Sequence, residues 1–199
     1  MRFGAAQGAD NAIVITVGTG IGGGIIVNGQ LIRGAGSMAG EIGHMNVKEN
    51  GRRCGCGQFG CWERYGSGRA LVHEARGLAE YDSTRASRLL ELAGGCAGDI
   101  TGFQVSQAAA EGDPAALECF DIVGTWLGIG MAYLSAALDP EVFVLAGGVS
   151  EAGEFLRAPA VKAADRHLTA HSFRRAPKLR LATLGNSAGM IGAADLARF

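Results

Sequence analysis

The sequence is poor in proline, in charge and in aromatic side chains. Of 199 residues only 4 are proline, 19% are charged and 7% are aromatic. Lysine and arginine (18) nearly balance aspartate and glutamate (19), so there is no excess of positive charge to attract nucleic acid or an anionic membrane surface. The low proline content excludes collagen, and the 48% hydrophobic content excludes an intrinsically disordered chain.

Long hydrophobic runs are also missing, since no apolar run approaches the roughly 18–20 residues that span a bilayer. The first ten residues contain one arginine and no apolar core segment, which argues against a signal peptide. The five cysteines are an odd number, and three of them lie within 54–61, unlike a secreted disulfide scaffold. We therefore expect a soluble, cytoplasmic protein with reduced thiols.

Glycine is what the sequence has in excess, with 33 residues. The glycine-rich run at 18–24 follows a β-branched run at 13–17, which is typical of a buried strand. The run contains G-x-G-x-x-G, but Asn28-Gly29 then predicts a hairpin instead of the helix that a dinucleotide-binding fold requires. We interpret the run as a turn whose glycines expose N–H groups to a phosphate, with Thr19 adding a hydroxyl. A plain turn is the alternative.

The remainder of the chain alternates helical and strand patterns. Residues 66–112 are predicted to form a helical insertion. Asp113-Pro114 predicts the start of a long helix with an apolar stripe, and Asp139-Pro140 predicts its end. Strands are then predicted at 142–146 and 179–184, and a last helix from about 186. This alternation indicates an α/β fold.

The glycine-rich segment 34–65 holds one histidine and three cysteines in the pattern H-x9-C-x-C-x4-C. Three thiolates and one imidazole are a common zinc set, and a closed set of four indicates a structural ion. Disulfides are disfavoured, because one pair would close too small a ring and the compartment is reducing. The predicted ligands are His44, Cys54, Cys56 and Cys61. The other two cysteines, Cys96 and Cys119, are predicted to be buried packing residues.

Two carboxylates flank these ligands, Glu41 before His44 and Glu63 after the last cysteine. We interpret them as acceptors for sugar hydroxyls, and the alternative is that they orient His44. The Gly147-Gly148 pair follows a predicted buried strand, where ligands of open α/β sheets gather. It permits close approach of a flat group such as adenine, although a tight turn alone would also use two glycines.

Together these motifs resemble the bacterial ROK family of sugar kinases, most closely its zinc-containing ATP-dependent glucokinases. The resemblance covers nearly the whole chain. It is carried by E-x-G-H at 41–44, C-G-C-G-x-x-G-C at 54–61 with Glu63 after it, G-T-G-I-G-G-G at 18–24 and L-A-G-G-V at 145–149.

The resemblance implies an actin/hexokinase-like (ribonuclease H-like) ATPase fold of two lobes, with glucose and ATP bound between them. It implies structural Zn²⁺ on the four ligands, Mg²⁺ bridging the ATP phosphates, and a homodimer with no nucleic-acid or membrane partner. Glucose would contact Glu41, His44 and Glu63, so that His44 would serve both metal and sugar. The implied nucleotide contacts are Gly18, Thr19, Gly20 and Gly22 for the phosphates, and Gly147 and Gly148 for the adenosine.

The sequence departs from the family in its first phosphate loop and its general base. No D-x-G-G-T occurs, and Asp10-Asn11 is a reversed pair too close to 13–17 to be the family's Asn-Asp pair, whose aspartate is the base. The chain therefore resembles the C-terminal lobe of a ROK sugar kinase over 1–199, with no catalytic residue of its own. The base is expected in an N-terminal lobe, and we expect little or no turnover by this chain alone.

Three alternatives remain open at this point. The chain could belong to a kinase for another hexose, such as fructose, mannose or an N-acetylhexosamine. It could be a fragment of a sugar-binding ROK transcriptional repressor, although it shows no helix-turn-helix and its charge is near neutral. It could also be a zinc-stabilised module that binds sugar without catalysis.

Overall fold

The structure is a computed structural model that describes residues 3–197. The strands are β1 (Ala12–Val17), β2 (Ile21–Val27), β3 (Gln30–Leu31), β4 (Val142–Ala146) and β5 (Lys178–Leu181). The helices are α1 (Glu63–Gly66), α2 (Gly68–Tyr81), α3 (Ser87–Leu92), α4 (Gly102–Ala110), α5 (Pro114–Leu138), α6 (Glu154–His167) and α7 (Ala188–Leu196). Short 3-10 turns lie at Ile42–His44, Ala97–Asp99, Gly148–Ala152 and Gly185–Ser187.

The strands form one mixed sheet in the order β3-β2-β1-β4-β5. β1, β2 and β3 pair antiparallel, whereas β4 lies parallel to β1 and β5 lies parallel to β4. Ile15 in the middle of β1 is opposite Gly23 of β2 and Leu145 of β4. The carboxyl ends of β1 and β4 therefore meet at the same edge of the sheet, and the predicted α/β class is confirmed.

The first hairpins follow the glycine signals of the sequence. β1 turns into β2 through residues 18–20, and β2 turns into β3 through Asn28 and Gly29. These two residues have φ values of 51° and 73°, the left-handed conformation that a two-residue type I′ turn requires. The predicted placement of the glycine-rich turn between antiparallel strands is therefore confirmed.

The long helix α5 begins and ends where its capping residues predict. The Asp113 carboxylate accepts a hydrogen bond from the Ala116 N–H at 2.8 Å, and Pro114 occupies the first turn, where it costs no hydrogen bond. At the other end Asp139 has φ 44°, and Pro140 follows it. Local chemistry thus fixes both ends of α5.

α5 is, among the described residues, the one helix whose length and composition would suit a membrane span, although it contains no continuous apolar run of 18–20 residues. The helix has 25 residues, and its most apolar stretch of 18 residues has a mean hydropathy of 1.3. Its apolar residues are spread along the helix among few charges and do not form one run. Within the part of the chain that the structure describes, 61% of that stretch is buried. The helix packs against α6, α2 and α4, so its composition is that of a core helix.

The predicted helical stretch 66–112 contains α2, α3 and α4, and these helices share the main core with the sheet. Leu71 of α2, Leu89 of α3 and Val105 of α4 are buried in the same apolar cluster as Phe120 of α5 and Leu145 of β4. The helices are thus confirmed as helices, while their description as an insertion stays a prediction.

Two expectations at the periphery are wrong. Cys96 is exposed, whereas Cys119 is buried as predicted. Gly94 and Gly95, with φ 69° and 91°, end the helical path after α3 and turn the chain outward just before Cys96. β5 ends at Leu181 instead of 184, although the Ala182 N–H still donates to the Leu145 carbonyl at 2.8 Å.

The close contact between α5 and α6 depends on glycine at two α5 positions. A β-carbon at Gly124 would lie 2.5 Å from Pro159 Cγ, and one at Gly128 would collide with the Ala160 carbonyl. Residues larger than glycine at these positions would push the two helices apart, which interiors packed at crystal density do not tolerate.

We predict that Gly128→Ala lowers the free energy of unfolding by about 1–3 kcal/mol, because the added methyl overpacks the helix contact. Urea unfolding of the 199-residue chain measures it. The matched control is Gly77→Ala in α2, where the position is exposed and nothing lies within 4 Å. That change should be neutral or stabilise by up to about 1 kcal/mol. Equal effects at both positions would contradict the packing argument.

Candidate functional site

The structure brings together the four predicted metal ligands. Their ligand atoms all lie within 4.8 Å of one another. Cys54 Sγ is 3.6 Å from His44 Nδ1, and Cys56 Sγ is 3.6 Å from Cys61 Sγ. One nitrogen and three sulfur atoms bonded to a tetrahedral zinc ion would lie about 3.5–3.8 Å apart. The residues therefore fit a four-coordinate metal ion in both donor chemistry and spacing.

Glycines and backbone hydrogen bonds shape the hairpin that carries the cysteines. The Cys54 N–H donates to the Gln58 carbonyl at 2.8 Å, and the Gly57 N–H donates back to the Cys54 carbonyl at 3.1 Å. Gly57 has φ 94° and Gly60 has φ 75°, and a β-carbon at Gly60 would collide with the Lys48 carbonyl. The tight fold that gathers the thiols thus requires glycine at these two positions.

The three thiols differ in their acidity. Burial raises the pKa of Cys61 to about 12 and also raises the pKa of Cys54. A hydrogen bond from the Gln58 backbone N–H lowers the pKa of Cys56. Because a metal binds thiolates, binding of a cation here must release protons at neutral pH, and its affinity must rise with pH.

His44 faces both the thiols and the solvent. Its Nδ1 lies toward Cys54, while its Nε2 lies 4.0 Å from Glu41 Oε2. The side chains of His44 and Glu41 are 38% and 62% exposed. The ring can therefore offer one nitrogen to a metal and the other to a ligand beside Glu41, which is the double role that the resemblance implies.

Glu63, the first residue of α1, links two segments: the hairpin at residues 52–61 that carries the three cysteines, called the metal hairpin, and the turn at residues 18–20 between β1 and β2, called the glycine turn. Its Oε1 accepts a hydrogen bond from Cys54 Sγ at 3.1 Å. Its Oε2 lies so close to Gly20 that a β-carbon there would collide with it. Sequence reasoning placed Glu63 beside the cysteines but did not foresee its contact with the turn, which no spacing signal could have revealed.

The predicted nucleotide residues meet at the carboxyl ends of β1 and β4. The Gly68 N–H, at the start of α2, donates to the Gly18 carbonyl at 2.8 Å. Gly147 has φ 91°, and a β-carbon on it would lie 2.5 Å from the Val17 carbonyl oxygen. The glycine turn, the glycine pair and the N-terminus of α2 are therefore in direct contact.

Not every predicted nucleotide residue lies in the turn itself. Thr19 lies at the tip of the turn with its side chain exposed, where it can meet a ligand. Gly22 lies in β2, where it pairs with Thr16 of β1, and a β-carbon at Gly22 would lie 2.7 Å from the Thr16 hydroxyl. Gly22 therefore has a packing reason to be glycine, and its contact with a phosphate stays a prediction.

A cavity of about 490 Å³ opens beside this junction, next to Gly148. Its walls are mostly apolar and include Leu71, Phe103, Val149 and Phe155, with Ser106 and Glu151 among the polar groups. Sequence reasoning missed the contribution of α2 and α4. The Thr101-x-x-Gln104 capping box, whose two side chains bond backbone N–H groups at the start of α4, was the available signal. It predicts where α4 begins and so places Phe103 in the first turn of that helix. The volume suits a small-molecule ligand.

This fold has the architecture of one lobe of the actin/hexokinase-like fold. The ROK family model matches residues 1–199, and the chain belongs to the ROK family. The resemblance noted from the sequence is thereby confirmed.

Several glucokinases are among the similar proteins, together with an N-acetylgalactosamine kinase of Shewanella and the xylose repressor of Bacillus subtilis. The glucokinase of Streptomyces coelicolor is 43% identical over 197 residues, covering 99% of this chain and 62% of the relative. That of Halalkalibacterium halodurans is 40% identical, covering 96% and 57%. A crystal structure of a ROK family glucokinase from Streptomyces griseus in complex with glucose and AMPPNP is 45% identical, with a TM-score of 0.92, covering 98% and 62%. The chain thus spans about three fifths of these glucokinases.

We predict that Cys56→Ser reduces the metal content of the purified chain from one equivalent of Zn²⁺ toward zero. Stability should fall by about 4 kcal/mol, the amount that a ligand contributes at a thousand times its Kd. Metal analysis and thermal unfolding measure both effects. The control is Cys96→Ser, an exposed thiol outside the cluster. An unchanged melting temperature and full zinc occupancy in Cys56→Ser would contradict this prediction.

Proposed function

We propose that this chain forms the sugar- and nucleotide-holding part of an ATP-dependent glucokinase, which transfers the γ-phosphoryl group of ATP to the 6-hydroxyl of glucose. The observation that carries the proposal is the position of Glu63, in contact with both Gly20 of the turn and Cys54 of the metal hairpin. A sugar held by this carboxylate lies next to a turn suited to phosphates. The Streptomyces griseus relative, which holds glucose and AMPPNP, supports the same pairing of ligands.

The nucleotide would lie along the junction of β1 and β4. Its phosphates would take N–H groups of the glycine turn at Gly18, Thr19 and Gly20, near Gly22, and its adenosine would enter the apolar cavity beside Gly147 and Gly148. The N-terminus of α2 contacts the same turn, and the positive end of a helix dipole favours an anion there. Mg²⁺ carried by ATP would neutralise part of the phosphate charge.

The sugar would lie between the metal hairpin and the turn, on Glu41, His44 and Glu63. Carboxylates accept hydrogen bonds from sugar hydroxyls, and such charge-assisted bonds orient the sugar as well as hold it. Zn²⁺ on His44, Cys54, Cys56 and Cys61 would supply folding free energy and hold the His44 ring in place. The role of the chain's own residues is to present the 6-hydroxyl to the γ-phosphoryl group, since phosphoryl transfer depends mainly on positioning.

The general base is not supplied by Asp10. This residue precedes β1, whereas the glycine turn follows it, and a six-residue strand separates them by about 20 Å. The backbone N–H of Asp10 donates to the Glu141 carboxylate at 3.0 Å, at the opposite edge of the sheet from the site. The resemblance assigns the base to an Asn-Asp pair, which this sequence does not contain. We therefore expect slow or no turnover by the 199-residue chain itself.

The choice of glucose over other hexoses rests on the relatives, because a Glu-His-Glu set would hold any hexose of similar stereochemistry. The cytoplasmic location, the homodimer and the absence of nucleic-acid and membrane partners also stay predictions. A repressor or a non-catalytic sugar-binding module would use the same sugar contacts without phosphoryl transfer, so turnover discriminates between these functions.

The decisive test is a chimera in which this chain replaces the matching part of the Streptomyces coelicolor glucokinase. We expect the chimera to phosphorylate glucose with ATP and Mg²⁺ at a rate within about tenfold of its parent, whereas the 199-residue chain alone stays inactive. A panel of glucose, fructose, mannose and N-acetylglucosamine tests the substrate. A folded, zinc-loaded chimera that phosphorylates no hexose would overturn the proposal. Preference for another hexose would replace glucose in it.

In the same chimera we predict that Glu63→Gln raises the KM for glucose about 10-fold or more, since a hydrogen bond to a charged group contributes about 1.5–3 kcal/mol. The KM for ATP should stay unchanged or fall, because a carboxylate beside the turn repels phosphates. The control is Glu80→Gln, an exposed glutamate of α2. Equal weakening of glucose and ATP would count against the assignment of Glu63 to the sugar.

A further inference from the structure

We infer that Arg52 is a positioning residue that couples the metal hairpin to α1 and α2, the two helices that meet the glycine turn. The inference rests on the metal part of the proposed function and goes beyond it. Arg52 lies two residues before Cys54, and its guanidinium leaves the hairpin to reach both helices. Nη1 donates to the Arg64 carbonyl at 3.0 Å, and Nη2 donates to Glu74 Oε1 at 2.6 Å.

Tyr65 completes the same attachment from the helix side. Its hydroxyl accepts a hydrogen bond from the Arg52 backbone N–H at 2.5 Å, and its ring lies 4.9 Å from the Arg52 guanidinium carbon. The ring also packs on Trp126 of α5, at 4.7 Å between centroids. A β-carbon at Gly51 would collide with the Tyr65 hydroxyl, so the chain can cross this ring only as glycine.

The Arg52–Glu74 ion pair is partly shielded from water. The two side chains are 28% and 21% exposed, and the Tyr65 beneath them is buried. By contrast, the partners in Arg157–Glu154 on α6 are 34% and 65% exposed. Removing one partner from a half-buried pair leaves the other charge without compensation, which costs more than at the surface. The contact therefore restrains the geometry of the hairpin.

The two helices that Arg52 joins bear the proposed ligand contacts. Arg64, whose carbonyl it binds, is adjacent to Glu63 on α1. Glu74 lies on α2, whose first residue, Gly68, donates to the Gly18 carbonyl. An ordered metal hairpin thus holds Arg52 in place, and Arg52 holds α1 and α2. Because coupling between sites is reciprocal, loss of the Arg52 contacts must also weaken the binding of the metal by the hairpin.

The test measures zinc release from the zinc-loaded 199-residue chain to an excess of chelator at 25 °C. We expect Arg52→Lys to accelerate release about 10-fold or more, because lysine cannot replace a planar fork that bonds two acceptors. Glu74→Gln should accelerate release as well, and the double variant should show less than the product of the two effects, since both remove the same contact. Arg53→Lys, at the neighbouring exposed position, is the matched control and should stay within about twofold.

Hydrogen exchange separates positioning from general destabilisation. In the parent chain, removal of zinc should reduce protection in residues 63–75. In Arg52→Lys the same residues should already be less protected with zinc bound, while β1 and β4 keep their protection. Tyr65→Phe, which removes only one hydroxyl, supplies a milder variant should the lysine variant fail to fold.

The outcomes distinguish this inference from the metal proposal. A parent chain that retains no zinc overturns both. A parent chain that retains zinc, with release rates in Arg52→Lys and Tyr65→Phe equal to that of Arg53→Lys, overturns the coupling role alone. Faster release accompanied by equal loss of protection throughout the sheet also overturns it, because the effect would then be global.

Discussion

The close approach of three backbone segments at the carboxyl ends of β1 and β4 is the constraint on which the site depends. The Val17 and Gly18 carbonyls lie against Gly147 and Gly68, at separations that leave no room for a β-carbon. Side chains there would part the glycine turn from the glycine pair and from α2. Glycine at these positions places the glycine turn, a helix N-terminus and an apolar cavity at one edge of the sheet, where open α/β sheets bind ligands.

The long connection between β3 and α1 has little regular secondary structure. Between β3 and α1 the described chain forms only the 3-10 turn at Ile42–His44 and two isolated bridges, and residues 31–39 are all exposed. Residues 31–39 bury too little apolar surface to offset their conformational entropy, whereas Ile42 and Trp62 further along pack into the main core. A metal ion on the four proposed ligands would add order to this connection, and Arg52 attaches it to α1 and α2.

Features set by local chemistry could be predicted from the sequence, and features set by distance in space could not. The Asn28-Gly29 turn, the ends of α5 and the clustering of the cysteines follow from residues within one turn or one hairpin. The contacts of Glu63 with Gly20, and of Arg52 with Glu74, join residues 43 and 22 positions apart. Neither has a periodic or spacing signal, because each depends on how α1 and α2 pack against the sheet. Cys96 was misjudged for a different reason, because the local signal of the turn that exposes it, Gly94 and Gly95, was given too little weight.

The three proposed sugar contacts differ in how firmly the protein holds them. Glu63 is half-buried at the start of α1, and its carboxylate lies against Gly20, so it is placed before any sugar arrives. His44 is held through Nδ1 at the thiol cluster. Glu41 is 62% exposed and lies 4.0 Å from His44, so it must lose rotamer freedom when it binds. Preorganised groups contribute more to orientation than mobile ones, because their ordering cost is met on folding. In the proposed complex, Glu63 and His44 would therefore set the geometry of the sugar, and Glu41 would adjust to it.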